Sequence, residues 1–356
     1  MKKTRIVVAM SGGVDSSVAA ALLKEQGHEV IGITMCFNLA DATGKHPACC
    51  GVQGVEDARR VAHTLGIPHY VVNMQKALHE YVIKDFCAEY LSGRTPNPCV
   101  RCNQFVKFDA LLKKSFAYEA EYLATGHYAR IVRSGKLFLL KKAHDTRKDQ
   151  SYFLHRVNQE QLRHIVFPLG GLIKDEVRGL ARKFGLAVAA KPDSQEICFL
   201  PDNNYRGFLQ RFAPAAITPG PLCDKNGKEL GMHKGTAFYT IGQREGLGVA
   251  LGYPAYVSSI DAERNMVIVG PRDEVMKREF LISDVHYCGL PLKKKVALCV
   301  RIRYNHKESP AVVEPAGTKC AICFKTPQFA ITPGQSAVLY NKNTVVGGGI
   351  IEKVVA

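Results

Sequence analysis

Residues 6–10 read Ile-Val-Val-Ala-Met, a short run without one polar side chain, broken at once by Ser11-Gly12-Gly13. A run apolar on both faces is a strand covered on both sides, the habit of a parallel sheet interior. A helical stripe of Val14, Val18, Ala21 and Leu22 follows, and Gly27 ends it. The pattern then repeats. Residues 30–35 predict a second strand, and Val55, Ala58, Ala62 and Leu65 a second helix before Gly66-Ile67-Pro68. Residues 69–73 and 122–125 predict two more strands. Strand–helix alternation implies an α/β fold, a parallel sheet with helices on both sides and right-handed crossovers. Ligands of such sheets bind at the carboxyl ends of the strands. Helical patterning continues through residues 174–184, which extends this first domain over residues 1–204.

Beyond it the character changes. Pro214, Pro219-Gly220-Pro221, Asn226-Gly227 and the glycines of residues 246–248 mark short strands joined by turns. Val296, Leu298, Val300 and Ile302 alternate with Lys295, Arg301 and Arg303, one face apolar and one basic. Residues 337–340 are another apolar run. The reading is a small mixed central domain over residues 205–275 and a C-terminal β-barrel over residues 276–356. A glycine-rich stretch, residues 242–252, is placed to close over a substrate.

Charge narrows the partners. The chain of 356 residues has 48 Lys+Arg against 32 Asp+Glu, a formal charge of +16, which suits a polyanion such as nucleic acid. The apolar run behind Met1-Lys2-Lys3 stops at Met10, too short for a signal peptide's core, and no stretch approaches the ~20 apolar residues a membrane helix needs. A cytoplasmic protein without membrane contact is expected. Its twelve cysteines then sit in a reducing compartment, where packing, catalysis or metal binding outweighs a disulfide framework.

The loop Met10-Ser11-Gly12-Gly13-Val14-Asp15-Ser16 joins a buried strand to a helix. Paired glycines let backbone approach a phosphate, to which serine hydroxyls and helix N-terminal amides donate. It lacks the lysine of a Walker loop. A plain strand–turn–helix junction capped by Ser or Asp is the alternative.

Two cysteines stand in informative surroundings. Gly93-Arg94-Thr95-Pro96-Asn97-Pro98-Cys99-Val100-Arg101-Cys102-Asn103 is a stiff, extended loop leading into a helix through Phe108 and Leu112. A thiol at that helix's edge gains thiolate character from the helix dipole and from Arg94 or Arg101. Far along the chain lies Asp193-Ser194-Gln195-Glu196-Ile197-Cys198-Phe199. Both stretches follow strand–helix units of one domain, so they can converge on one sheet edge, as a two-thiol relay requires. Cys49-Cys50 have no partner pair at zinc spacing, and Cys320 and Cys323 fall on opposite faces of a strand.

The first loop resembles the pyrophosphatase-type loop of ATPases that cleave between the α- and β-phosphates. With Gly93–Pro98 before Cys102-Asn103, with Ile197-Cys198-Phe199, Lys148-Asp149-Gln150-Ser151 and Thr240-Ile241-Gly242-Gln243-Arg244, the chain resembles the tRNA-specific 2-thiouridylase family over effectively its whole length. The resemblance implies ATP held by Ala9, Met10, Ser11, Gly12, Gly13, Val14, Asp15 and Ser16, with Met35 and Gly126 cradling adenosine and Asp15 helping to hold Mg2+. It implies adenylation of the C2 oxygen of a wobble uridine in tRNA, a persulfide on Cys198, and Cys102 completing the sulfur transfer. Asn97, Pro98 and Cys99 would face the target base, and Lys148, Asp149, Gln150, Arg303 and Tyr304 would touch the tRNA. A sulfur-donor protein, a cysteine desulfurase or relay, is implied as a second partner. Position 99 departs from the family pattern, which has Asp there. Cys99, Cys102 and Cys198 together can hold a [4Fe–4S] cluster with one open iron, so a cluster mechanism also fits. A non-thiolating adenylating synthetase and a noncatalytic RNA-binding protein remain as alternatives.

Overall fold

The first apolar run forms strand β1 (Arg5–Ala9), and its Val7 and Val8 are wholly buried. The computed structural model describes residues 4–37, 39–40, 47–48, 52–193, 197–200, 204–249 and 251–355. β1 pairs in parallel with β2 (Glu29–Cys36) on one side and with Tyr122–Thr125 on the other. The full order is His69–Asn73, β2, β1, Tyr122–Thr125, Ile165–Val166, parallel throughout. The chain thus builds outward from β1 in one direction, then returns and builds in the other. The reversal leaves a crevice beyond the ends of β1 and Tyr122–Thr125, the place where open α/β sheets bind ligands.

Helix α1 (Val14–Glu25) is more deeply seated than its one apolar stripe suggests. Residues 16–21 and Leu23 are buried, while Leu22 is only partly so. The small side chains Ser16, Ser17, Ala19, Ala20 and Ala21 let the helix lie close to the sheet and to Lys174–Lys183, whose Val177 and Ala181 share its core. α2 (Val52–Leu65) adds Ala58, Val61 and Leu65 to the same core. An antiparallel hairpin, Ala129–Ser134 with Leu137–Lys142, was not foreseen; its strands are half-polar and lack an apolar alternation to announce them.

The chain divides into two compact units. The first holds Met1–Val82, Cys99–Pro201 and Asn343–Val345; the second holds Ile83–Pro98, Asp202–Lys342 and Val346–Ala356. Within the second, a four-stranded sheet runs in the order Glu229–His233, Gly220–Cys223, Met266–Gly270, Tyr256–Asp261. A six-stranded antiparallel barrel runs Met276–Tyr287, Lys319–Phe329, Ser309–Ala316, Val296–Arg301, Ser336–Asn341, Thr344–Val354 and closes on its first strand. Leu298, Val300 and Ile302 point into the barrel core with Phe280, Val313 and Phe324, as the alternation requires. Cys320 is in that core and Cys323 faces out. No described helix is long and apolar enough to cross a membrane.

Candidate active site

The glycine loop after β1 is shaped by contacts only glycine permits. Gly12 has φ +73°, and a Cβ there would fall 2.1 Å from the Gly54 carbonyl oxygen. Gly13 caps α1 without any side-chain cap, so the Ser or Asp capping alternative does not describe this junction. The first amides of the helix stay open to an anion. The serines brace the loop: the Ser11 amide donates to Ser16 Oγ at 3.1 Å, and Ser17 Oγ donates to the Gly13 carbonyl at 2.8 Å. Gly126, at the end of the neighbouring strand, lies against the same turn; a Cβ there would be 2.6 Å from the Ser16 nitrogen. Ala9 ends β1, and Met35 is half-buried near the end of β2.

Four cations gather around this loop and Asp193, and sequence reasoning had singled out only Lys148 among them. Lys174, nearly buried, donates to both Asp15 oxygens at 2.7 and 2.9 Å and reaches Asp193 at 2.8 Å. Asp193 also holds Lys148 at 2.7 Å and Arg178 at 2.8 Å. Lys191 donates to the Gly12 carbonyl at 3.0 Å and to Asp57 at 2.7 Å. Tyr128 Oη donates to Asp15 at 2.8 Å. Burial pushes the Asp193 carboxyl up, but the hydrogen bonds and charges of Lys148 and Lys174 outweigh it and bring it down to about 2. No local pattern announces these partners, because each pair joins residues far apart in the chain.

The thiols meet. Cys102 and Cys198 hydrogen-bond to each other, and both belong to the first unit with the glycine loop. That bond lowers the Cys102 thiol to about 7 against the opposing effect of burial, with Lys107 helping, and it raises Cys198 well above the ordinary thiol value. The hydrogen bond thus favours a pair in which one sulfur is the thiolate and the other its proton donor. Cys198 and Cys99 keep solvent-exposed surface; Cys102 is buried. Burial pushes Cys99 up to about 11, so it stays a thiol near neutrality.

The expected source of the thiolate's charge is corrected. The helix starts at Pro98, so Cys99 stands at its edge and Cys102 lies a turn inside. From Cys102 to Leu111 it winds as a wide π-helix, a form that recurs at functional sites. Arg94 is engaged with Glu89 at 2.8 Å and with the carbonyls of Ile351 and Glu352. Arg101 lies 5.9 Å over the Phe105 ring.

Thiols and loop are linked through packed neighbours. His127 follows Gly126, accepts or donates at Thr125 Oγ1 over 2.7 Å, and packs against Phe108 of the π-helix and against Phe167. Burial, and then Lys107, hold it well below its usual value, so it is a neutral, packed histidine. On the other side Asp193 anchors the segment leading to Cys198 onto Lys174, beside Asp15. Ser194, Gln195 and Glu196 between them, like Cys49 and Cys50, lie outside the described residues.

Among the residues expected to touch RNA, Lys148 is partly exposed and paired with Asp193. Asp149 is buried. Its carboxylate accepts from the Ala143 amide at 3.0 Å, from the Ser151 amide at 3.3 Å and from Ser151 Oγ at 2.8 Å. Gln150 Oε1 accepts from the Tyr128 amide at 3.0 Å. In the second unit, Gln335 Nε2 donates to the carbonyls of Thr95 and Pro96, and Thr95 Oγ1 donates to Thr240 at 3.1 Å. These bonds fix the loop carrying half-buried Asn97 and buried Pro98. Arg303 donates to the Phe329 carbonyl, and Arg301 stacks 5.2 Å from the Tyr304 ring. Gln335 had no motif to mark it.

No group of three His, Cys, Asp or Glu side chains among the described residues is arranged to hold a metal ion. Cys99 and Cys198 both lie close enough to Cys102 to interact with it electrostatically.

A parallel sheet with a phosphate-cradling loop at its switch point, coupled to a hydrogen-bonded thiol pair, defines an α/β enzyme of the ATP-using kind equipped for sulfur. Family models described as "tRNA methyl transferase HUP domain", "tRNA methyl transferase PRC-barrel domain" and "Aminomethyltransferase beta-barrel domain" match residues 4–202, 206–271 and 277–351. The chain is 50% identical over 359 residues to tRNA-specific 2-thiouridylase MnmA 1 of Caldanaerobacter subterraneus subsp. tengcongensis, covering 99% of this chain and 98% of that one. It is 50% identical to the 2-thiouridylase of Heliobacterium modesticaldum, over 99% and 93% of the two chains. With that of Clostridium acetobutylicum the identity is 47%, over 98% and 99%. The chain belongs to the tRNA-specific 2-thiouridylase family, and so to the tRNA sulfurtransferases, as its motifs imply.

Proposed function

We propose that this chain replaces the C2 oxygen of the wobble uridine, U34, of tRNA with sulfur, leaving 2-thiouridine, AMP and pyrophosphate. The observation that carries this reading is the contact between Cys102 and Cys198 in the unit that holds the glycine loop. The C2 oxygen attacks the α-phosphorus of ATP and pyrophosphate leaves. The terminal sulfur of a Cys198 persulfide then attacks C2, and the C2–O bond breaks to release AMP. The Cys102 thiolate attacks Cys198 Sγ. The S–S bond to the transferred sulfur breaks, its electron pair forms the thiocarbonyl, and a Cys102–Cys198 disulfide remains. A dithiol reductant resets the pair.

The chain's own groups suit these steps. Cys198 is exposed, which suits loading by a sulfur-donor protein, and its high thiol value keeps it protonated until loaded. Cys102 is the ready thiolate. Mg2+ is held in proteins by one or two carboxylates plus substrate phosphates, and Asp15, with a third of its side chain exposed, fits as the carboxylate. When bound, the ion would neutralise charge on the pyrophosphate. The formal charge of +16 suits tRNA.

The test is thiolation of tRNA with ATP and a persulfide donor, resolved by nucleoside mass spectrometry. Cys198→Ser should give no 2-thiouridine. Cys102→Ser should trap tRNA on Cys198 in a bond that thiol reductant releases. Thiolation at the wild-type rate by Cys198→Ser would remove the mechanism. A synthetase that forms amides, the alternative reading, would keep its ATP-to-AMP turnover in both variants.

A further inference from the structure

We propose that Lys107 is the counter-cation of the sulfur centre, a positioning residue that stabilises negative charge on the Cys102–Cys198 pair; this rests on those two cysteines being the working thiols. The geometry follows from the helix that carries it. In a π-helix the i→i+5 hydrogen bond sets the fifth residue over the first, so the wide winding of Cys102–Leu111 brings Lys107 onto the face of Cys102. An ordinary α-helix would turn it away, since there neighbours on one face are three and four apart.

What faces the sulfur pair supports the assignment. On the same helix stand Cys99 and Lys107, Cys198 comes from the segment after Asp193, and His127 comes from the end of Tyr122–Thr125. Lys107 interacts electrostatically with all three thiols and with His127. His127 is neutral and Cys99 remains a thiol, so the lysine is the one fixed charge in this group. Arg94 is engaged with Glu89, and Arg101 lies over the Phe105 ring. Among the described residues no carboxylate pairs with Lys107, whereas Lys113 pairs with Asp109. A sulfur anion at a buried position needs a compensating charge. A half-buried ammonium with no carboxylate of its own can supply it.

The experiment reads the thiolate directly. Full-length reduced protein is pulsed with iodoacetamide at a series of pH values, and the Cys102 peptide is quantified by mass spectrometry for wild type, Lys107→Met, Lys107→Gln and Lys107→Arg. Wild type should show a midpoint near about 7. The Met and Gln variants should move it up by roughly one pH unit, and Arg should bring it back. An unmoved midpoint in both neutral variants overturns the inference, even if they bind tRNA more weakly. A shifted midpoint in a protein that does not thiolate through Cys198 upholds the role of Lys107 and removes the proposed mechanism instead.

Discussion

Lys174 bridges Asp15 of the nucleotide loop, at 2.7 and 2.9 Å, and Asp193, at 2.8 Å, with only 8% of its own side chain exposed. One ammonium thus ties the start of α1 to the segment that leads to Cys198. Removing it leaves two carboxylates facing each other with no buried cation between them. Lys174→Met should cost about 3 kcal/mol in urea denaturation, the usual loss when one partner of a buried pair is deleted. It should also depress pyrophosphate release more than tRNA binding. Equal losses in both would mean that Lys174 supports the fold alone.

Asp193 makes the same network sensitive to acid. Its folded value, about 2, lies below the ordinary carboxylate value, so its stabilising contribution is complete above about pH 4 and disappears as pH falls toward 2. The shift corresponds to about 2 kcal/mol. Stability measured against pH should therefore fall across that window in wild type and fall less steeply in Asp193→Asn. Identical slopes would show that other carboxylates govern the acid limb.

The contrast between these residues and the glycine loop explains what the sequence could reveal. The run at residues 6–10, the Ser11-Gly12-Gly13 break and the strand at Tyr122–Thr125 are local patterns, and burial on both faces leaves a local mark. The convergence of Cys102 and Cys198 could be inferred because both follow strand–helix units of one sheet. Lys174, Lys191 and Asp193 could not, because a lysine bound for a distant carboxylate looks like any surface lysine until the fold closes. The π-helical turn was hidden for another reason. Its side-chain pattern through Phe108 and Leu112 is that of an ordinary helix, and only the backbone bonds distinguish it. Arg94 was misread because proximity in sequence was taken for proximity in space.

Gly126 is held to glycine by backbone. A methyl group there would meet the Ser16 nitrogen at 2.6 Å and the Asp15 carbonyl carbon at 2.7 Å, and neither can swing aside as a side chain would. Gly126→Ala should cost about 2 kcal/mol as overpacking. Equilibrium ATP binding should weaken by roughly tenfold or more as the helix start is pushed off the strand end. Unchanged ATP affinity would show that this approach does not set the nucleotide pocket.

Lys148 and Asp149 stand side by side in one motif yet should respond differently. Asp149→Ala leaves two amides and a hydroxyl without their buried acceptor, at a cost of about 3 kcal/mol. Lys148→Ala, at a partly exposed position, should cost no more than about 1 kcal/mol while lowering tRNA affinity and its salt dependence. If Asp149→Ala is as stable as wild type and only tRNA binding falls, its side chain turns outward to the RNA.

Cys99 decides between the two sulfur chemistries that the sequence left open. It is exposed, next to the target loop and near Cys102, which is where a third cluster ligand would stand. Its thiol is pushed up to about 11, first by burial of the sulfur's surroundings, so near neutrality the metal-free Cys99 is not a thiolate, whereas a bound iron would itself draw off the proton. Two results follow. At pH 8 Cys102, though buried, should alkylate faster than exposed Cys99, because the thiolate is the reacting species. Cys99→Ser should retain ATP-dependent thiolation from a persulfide donor in protein containing no iron. A cluster held by three cysteines cannot survive loss of one thiolate at that corner. Thiolation lost with Cys99, and restored in wild type only after iron and sulfide are added anaerobically, would replace the persulfide route with the cluster.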